Sequence, residues 1–173
     1  MTTSQLVDYG IETEQSDIRA HVSVVNRSIY VFPTADGVAA VQGAIFPLRP
    51  AYQPDVEGAT AEGWLVPIKR IQNLRRLSFQ TFAWEKFHPT MSTSEKGALA
   101  VECVAESMRL GRFPFWVDAQ ETERREIQIK GTDIIVFCHK RVQVKCDWRC
   151  GDQPAGTGNL FLQKAERNPL KRI

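Results

Sequence analysis

In residues 131–147, GTDIIVFCHKRVQVKCD, apolar and polar positions alternate on either side of a short polar turn. Ile134, Val136, Val142 and Val144 fall on one face, and Asp133, Gln143, Lys145 and Asp147 fall on the other with Ile135 and Phe137. A period of two marks a strand, because successive side chains leave opposite faces of the sheet. The stretch therefore predicts a hairpin with Cys138 opposite Val142 across the turn His139-Lys140-Arg141. In that register odd positions face odd ones, and a slip of one residue would undo the match.

Periodicity of another kind marks residues 92–111. Ser92 followed by Glu95 is a capping box, in which the hydroxyl accepts from the backbone N–H of Glu95 and the carboxylate reaches back to that of Ser92. Helix formers continue to Arg109, whose charge suits the last turn, and Gly111 is placed to end the helix. Val101, Val104, Ala105 and Met108 form an apolar stripe, with Gly97 and Ala98 small enough for close approach and Glu102 and Glu106 on its flank.

The first half reads differently. Residues 20–32 and 37–46 are rich in Val, Ile and aromatics, are separated by the turn chemistry of PTADG, and predict strands. A Pro- and Gly-containing loop leads to a further strand over residues 64–71. After the helix come RFPFWVDA, REIQIKGTDIIVFC, VQVKCD and NLFLQKA, all strand-like. The expected organisation is a β-rich region over 1–89 and an α/β core over 90–173.

With 43% hydrophobic and 24% charged residues, 173 residues suffice to bury one core, with or without a small appendage. No apolar run nears the roughly 20 residues of a membrane span, and the polar start lacks the pattern of a signal peptide, so the cytoplasm is expected. Four cysteines are too few and too unevenly spaced for a disulfide scaffold. Charge changes the picture more: residues 140–173 hold eight Lys and Arg against three acids, and Lys69, Arg70, Arg75 and Arg76 add a second basic stretch. Clustered cations among aromatics suit a polyphosphate partner. Lys140, Arg141, Arg149, Lys164, Arg167, Arg75 and Arg76 are the candidate nucleic-acid contacts.

The helix KGALAVECVAESMRLG followed by GTDIIVFCHKRVQVKCD resembles the PD-(D/E)XK nuclease superfamily, over about residues 90–165. The segment GTGNLFLQ is similar to the strand after the lysine in some phage-associated members. The resemblance implies an α/β fold, a restriction-endonuclease-like mixed sheet with a flanking helix. It makes Asp133 the metal-binding aspartate, Gln143-Val144-Lys145 the (D/E)XK tripeptide and Glu102 the helix glutamate. It also implies Mg²⁺ or Mn²⁺, DNA as substrate and, for cutting both strands, a homodimer.

Phosphodiester hydrolysis asks for those residue types independently of the family. A hard cation neutralises developing oxyanion charge and activates water. Asp133, Glu102, the Gln143 amide and the Val144 carbonyl are oxygen donors for it, and Lys145 would orient water or stabilise the phosphorane. Gln143 departs from the acidic residue of the motif and brings no charge, which predicts weaker metal binding or one ion. The segment 148–157 is too short and too rich in Gly and Pro for the helix that usually follows the lysine strand, so the N-terminal region is expected to complete the sheet or to grip DNA. Three alternatives stay open: a zinc site at Cys146 and Cys150 with Cys138 or His139; a Cys/His nucleophile; and a non-catalytic nucleic-acid-binding protein with a decayed nuclease site, whose Trp148 and Phe161 stack on bases.

Overall fold

An alternating strand is stable only if something covers its apolar face, and here the cover comes from both halves of the chain. The computed structural model describes residues 16–43, 49–50, 62–112, 128–130, 133–136 and 140–163. Its elements are β1 (Ile18–Ser23), β2 (Ser28–Pro33), α1 (Thr34–Gly43), β3 (Arg49–Pro50), β4 (Glu62–Pro67), β5 (Arg75–Ser78), α2 (Thr93–Arg109), β6 (Gln128–Lys130), β7 (Asp133–Val136), β8 (Lys140–Cys146) and β9 (Asn159–Gln163). Single 3₁₀ turns cover Ile68–Arg70 and Trp84–Lys86.

A six-stranded sheet runs β5-β2-β1-β8-β7-β6, and a three-stranded sheet runs β3-β4-β9. β1 is parallel to β8, and every other neighbouring pair is antiparallel. The molecule is thus mixed α/β. Residue 89 separates no structural units, since β1 and β2 from the first half lie between β5 and β8 in one sheet. The N-terminal region completes the sheet.

Each face of that sheet has its own core. Ile18, Ala20, Val22, Ile29, Val31, Ile134, Val142 and Val144 pack under α2 through Leu99, Val101, Cys103, Val104 and Met108. On the other face Tyr30 and Phe32 pack with Val38 and Val41 of α1 and with Trp64, Val66, Leu160 and Leu162 of the small sheet. β1 is consequently buried along its whole length. Its alternation IRAHVS then sorts residues between two covered faces, not between core and water.

α2 begins and ends as its cap residues predict. Ser92 Oγ accepts from Glu95 N at 3.1 Å, and Ser92 N donates to Glu95 Oε1 at 3.3 Å. At the other end Gly111 takes φ 65°, and the bonds Gly111 N to Met108 O and Arg112 N to Ser107 O form a Schellman closure. Ala98 is exposed, so close approach to the sheet falls instead to Ala100 and Ala105.

Two expected strands are corrected. Residues 20–32 form a hairpin, with Ser23 Oγ accepting from Asn26 N at 3.1 Å and Arg27 N donating to Val24 O at 3.3 Å to close the turn. Residues 37–46 were expected as a strand, but α1 extends through Gly43. Valine disfavours helix only weakly, and burial of Val38 and Val41, three positions apart on one helical face, outweighs it. The stretch RFPFWVDA lies outside the described residues from position 113 on. No helix among the described residues is long and apolar enough to cross a membrane.

Candidate functional site

The hairpin β7·β8 pairs Asp133 with Gln143, Ile134 with Val142 and Val136 with Lys140. A register with Cys138 facing Val142 would set Asp133 opposite Asp147; the observed one sets it opposite Gln143, yet it also pairs odd with odd and even with even. Asp133 and Gln143 thus occupy directly opposed positions on one face. Lys145 follows on the same face of β8, one pleat further on.

β1 extends this face. In the parallel pairing Arg19 stands beside Gln143 and His21 beside Lys145, while β2 and β5 continue the second row through Tyr30 and Arg76. On the far side of β7, the register sets Lys130 opposite Asp133. Gln143 is 3% exposed and Arg19 1%, and Lys145 is half-buried.

A buried hydrogen-bonded chain runs along β1. Arg19 Nε donates to His21 Nε2 at 3.3 Å, and His21 Nδ1 lies 3.1 Å from Asp147 Oδ2. Arginine has no acceptor, so Nε2 carries the lone pair and Nδ1 carries the proton that is donated to Asp147. The same Asp147 oxygen accepts from Phe161 N at 2.9 Å, linking the large sheet to β9. Burial pushes the His21 pKa below its usual range, against the raising effect of the bond to Asp147, and the nearby Arg19 pushes the same way as burial. His21 is a neutral connector with both ring nitrogens in use.

The expected site residues divide into three groups. Asp133, Gln143 and Lys145 are brought together by register. Val144 has its side chain buried toward α2, on the opposite face. Glu102 is on the far side as well, because α2 packs on the apolar face. Its carboxylate is 54% exposed and lies 3.5 Å from Lys86 Nζ, so the helix does not turn it toward Gln143. Among the described residues no three His, Cys, Asp or Glu side chains are grouped to hold a metal ion.

The cation contacts are equally dispersed. Arg75 and Arg76 are exposed on β5, Arg149 is exposed in the loop after β8, and exposed Arg141 donates its backbone N–H to Asp17 Oδ2 at 2.8 Å. Lys140 opens β8, whereas Lys164 and Arg167 lie outside the described residues. Trp148 and Phe161 are not free for base stacking: Trp148 packs edge-on against Phe87 at 5.9 Å under Lys96, and Phe161 is buried in β9.

Cys103 and Cys150 behave as packed thiols. Cys103 and Cys150 are buried, and desolvation pushes both thiols far above their usual range, which disfavours thiolate for zinc or nucleophilic attack. Cys138 and His139 lie outside the described residues. Arg19 and His21 were not singled out in the sequence, although the alternation of IRAHVS carries the same signal as that of β8.

Compared with known families, with curated proteins and with solved structures, the chain matches none.

Proposed function

We propose that the protein is a metal-dependent DNA endonuclease of the PD-(D/E)XK kind, with its centre on the face shared by Asp133, Gln143 and Lys145. The observation that carries the reading is the register of Asp133 against Gln143, with Lys145 next on the same face. Supporting it are the capped helix before the hairpin and the parallel strand β1 beyond it. The donor set suits one hard cation held by the Asp133 carboxylate, the Gln143 amide oxygen and substrate phosphate, since Mg²⁺ is commonly bound by one or two carboxylates with phosphates and water. Such an ion, Mg²⁺ or Mn²⁺, would supply charge neutralisation and an activated water. Lys145 would steady the attacking water or the phosphorane charge. Cutting of both strands would call for a homodimer.

A second reading has an observation in its favour. Gln143 and Arg19 are almost fully buried, and Glu102 is engaged with Lys86 on the opposite side, as suits a nucleic-acid-binding protein whose nuclease centre has decayed.

Incubation with supercoiled, linear and single-stranded DNA, in Mg²⁺, Mn²⁺ or EDTA, separates the two. The endonuclease predicts metal-dependent cutting that Asp133→Ala or Lys145→Ala lowers by about 100-fold or more, the scale of losing an electrostatic catalytic group. Binding without cutting in every metal, unchanged by either substitution, would establish the second reading and end the first.

A further inference from the structure

β5 is the outermost strand of the six-stranded sheet, and an open edge is a liability unless charge or another chain covers it. This edge is exposed and carries arginine. Arg75 pairs with Val31 and Arg76 with Tyr30, so the two belong to opposite faces of the edge strand. Two further arginines close around its end. The Arg27 carbonyl accepts from Phe79 N at 3.1 Å, and the Arg112 guanidinium stands 5.4 Å from the centre of the Phe79 ring. All four arginines are exposed.

None of the four forms an ion pair with a described residue; the described ion pairs are Lys86 with Glu102 and His21 with Asp147. Arg76 Nη1 donates to Ser28 Oγ at 3.4 Å, and its charge also acts on the Asp152 carboxylate. Asp152, hydrogen-bonded to Tyr30 at 2.8 Å, bounds the patch on that side. Four arginines around a strand about 13 Å long, with Asp152 the acid that Arg76 feels, leave the edge with a net positive surface. Arginine, with its planar fork of donors, is the residue suited to phosphate.

Arg27 adds an independent sign. It adopts φ 47°, the left-handed region that Gly or Asn occupies at lower cost, at the turn before β2. At Asn73, φ 60°, the residue type fits the conformation. A bulky cation kept in a strained turn is evidence that its side chain is used.

We infer that the β5 edge, through Arg27, Arg75, Arg76 and Arg112, is the surface that receives the phosphate backbone of duplex DNA. The inference rests on the DNA-directed function proposed above and locates the partner. From β5 to β8 is three strand spacings, about 14 Å, close to the width of one major groove.

The test is fluorescence anisotropy of a labelled duplex in EDTA, over a range of salt, with cutting measured separately in Mg²⁺. Arg75→Ala/Arg76→Ala, Arg112→Ala and Arg27→Gly are compared with the unsubstituted protein and with Lys86→Ala, whose charge is already paired with Glu102. The expected result is affinity lowered about 3- to 10-fold per arginine removed, with the slope of log affinity against log salt shallower by about 0.9 each. Arg27→Gly should bind more weakly while melting at the same or a higher temperature, which separates lost contact from lost fold. Edge variants that bind like the unsubstituted protein, with cutting intact, overturn this interface and leave the endonuclease standing. An unsubstituted protein that neither binds nor cuts DNA overturns both.

Discussion

His21 and Asp147, 126 residues apart in the chain, meet at 3.1 Å between Nδ1 and Oδ2, inside a region where the histidine has no exposed surface. Because Arg19 Nε donates to the other ring nitrogen, protonation of His21 would set two N–H groups against each other and add a cation beside Arg19 and Lys145. Folding therefore favours the neutral ring, and the folded pKa lies below 6.5. The unfolded chain binds the proton first as pH falls, so this stabilisation is whole above about pH 6.5 and is lost progressively below it. Thermal melts between pH 5 and 8 should show that decline, and His21→Gln should flatten it. Nitrogen chemical shifts of His21 at pH 7 should report the Nδ1–H tautomer.

Asp147 satisfies two donors with one oxygen. Replacing it by alanine leaves His21 Nδ1–H and Phe161 N–H without that partner, at a cost of roughly 1–3 kcal/mol per buried unsatisfied group. Urea unfolding should show a loss in that range and an unchanged m-value.

Gly151 is required by its surroundings. It takes φ 128°, and a Cβ there would overlap Asn26 Oδ1 and stand 2.8 Å from Tyr30 Oη. The same Asn26 oxygen receives Gln153 N–H at 3.3 Å, and Tyr30 Oη donates to Asp152 Oδ1 at 2.8 Å, fastening the loop after β8 to the first hairpin. Gly151→Ala should cost more than about 2 kcal/mol through strain and overpacking, and Tyr30→Phe about 1 kcal/mol through the lost hydrogen bonds. Equilibrium denaturation of both variants checks the ranking.

Glu102 gives a prediction of the opposite kind. Its ion pair with Lys86 is half-exposed, and such pairs contribute between zero and about 1 kcal/mol. Glu102→Gln should leave the melting temperature within a few degrees. Because the carboxylate faces away from Gln143, DNA cutting should fall far less than in Asp133→Ala. A loss as large as that of Asp133→Ala would mean that Glu102 belongs to the centre.

How far the chain can be read without coordinates depends on the range of the interactions. The α2 caps are local chemistry, and Ser92, Glu95 and Gly111 act as their types predict. Parity in the hairpin is equally local, so Asp133 and Gln143 fall on one face even though Asp133 pairs four residues away from its expected partner. α1 was misread because short Val/Ala runs suit either structure, and the choice lies with Trp64 and Leu162, far off in sequence. Glu102 was misplaced for a related reason. A helical wheel gives its flank, but only packing decides which sheet face α2 covers. Arg19 and His21 escaped notice because nothing near them announces that β1 lies beside β8.

That placement governs how the molecule can be made. The strand in the middle of the large sheet comes from residues 18–23, and its parallel partner from residues 140–146. During synthesis β1 must wait for more than a hundred further residues before its second edge is paired, with β2 as its earlier companion. Contacts of such long range slow folding, and in the interval an unpaired apolar edge is exposed to other chains. Production at low temperature or with chaperones should therefore raise the yield of monodisperse protein, and truncation before β8 should yield aggregates.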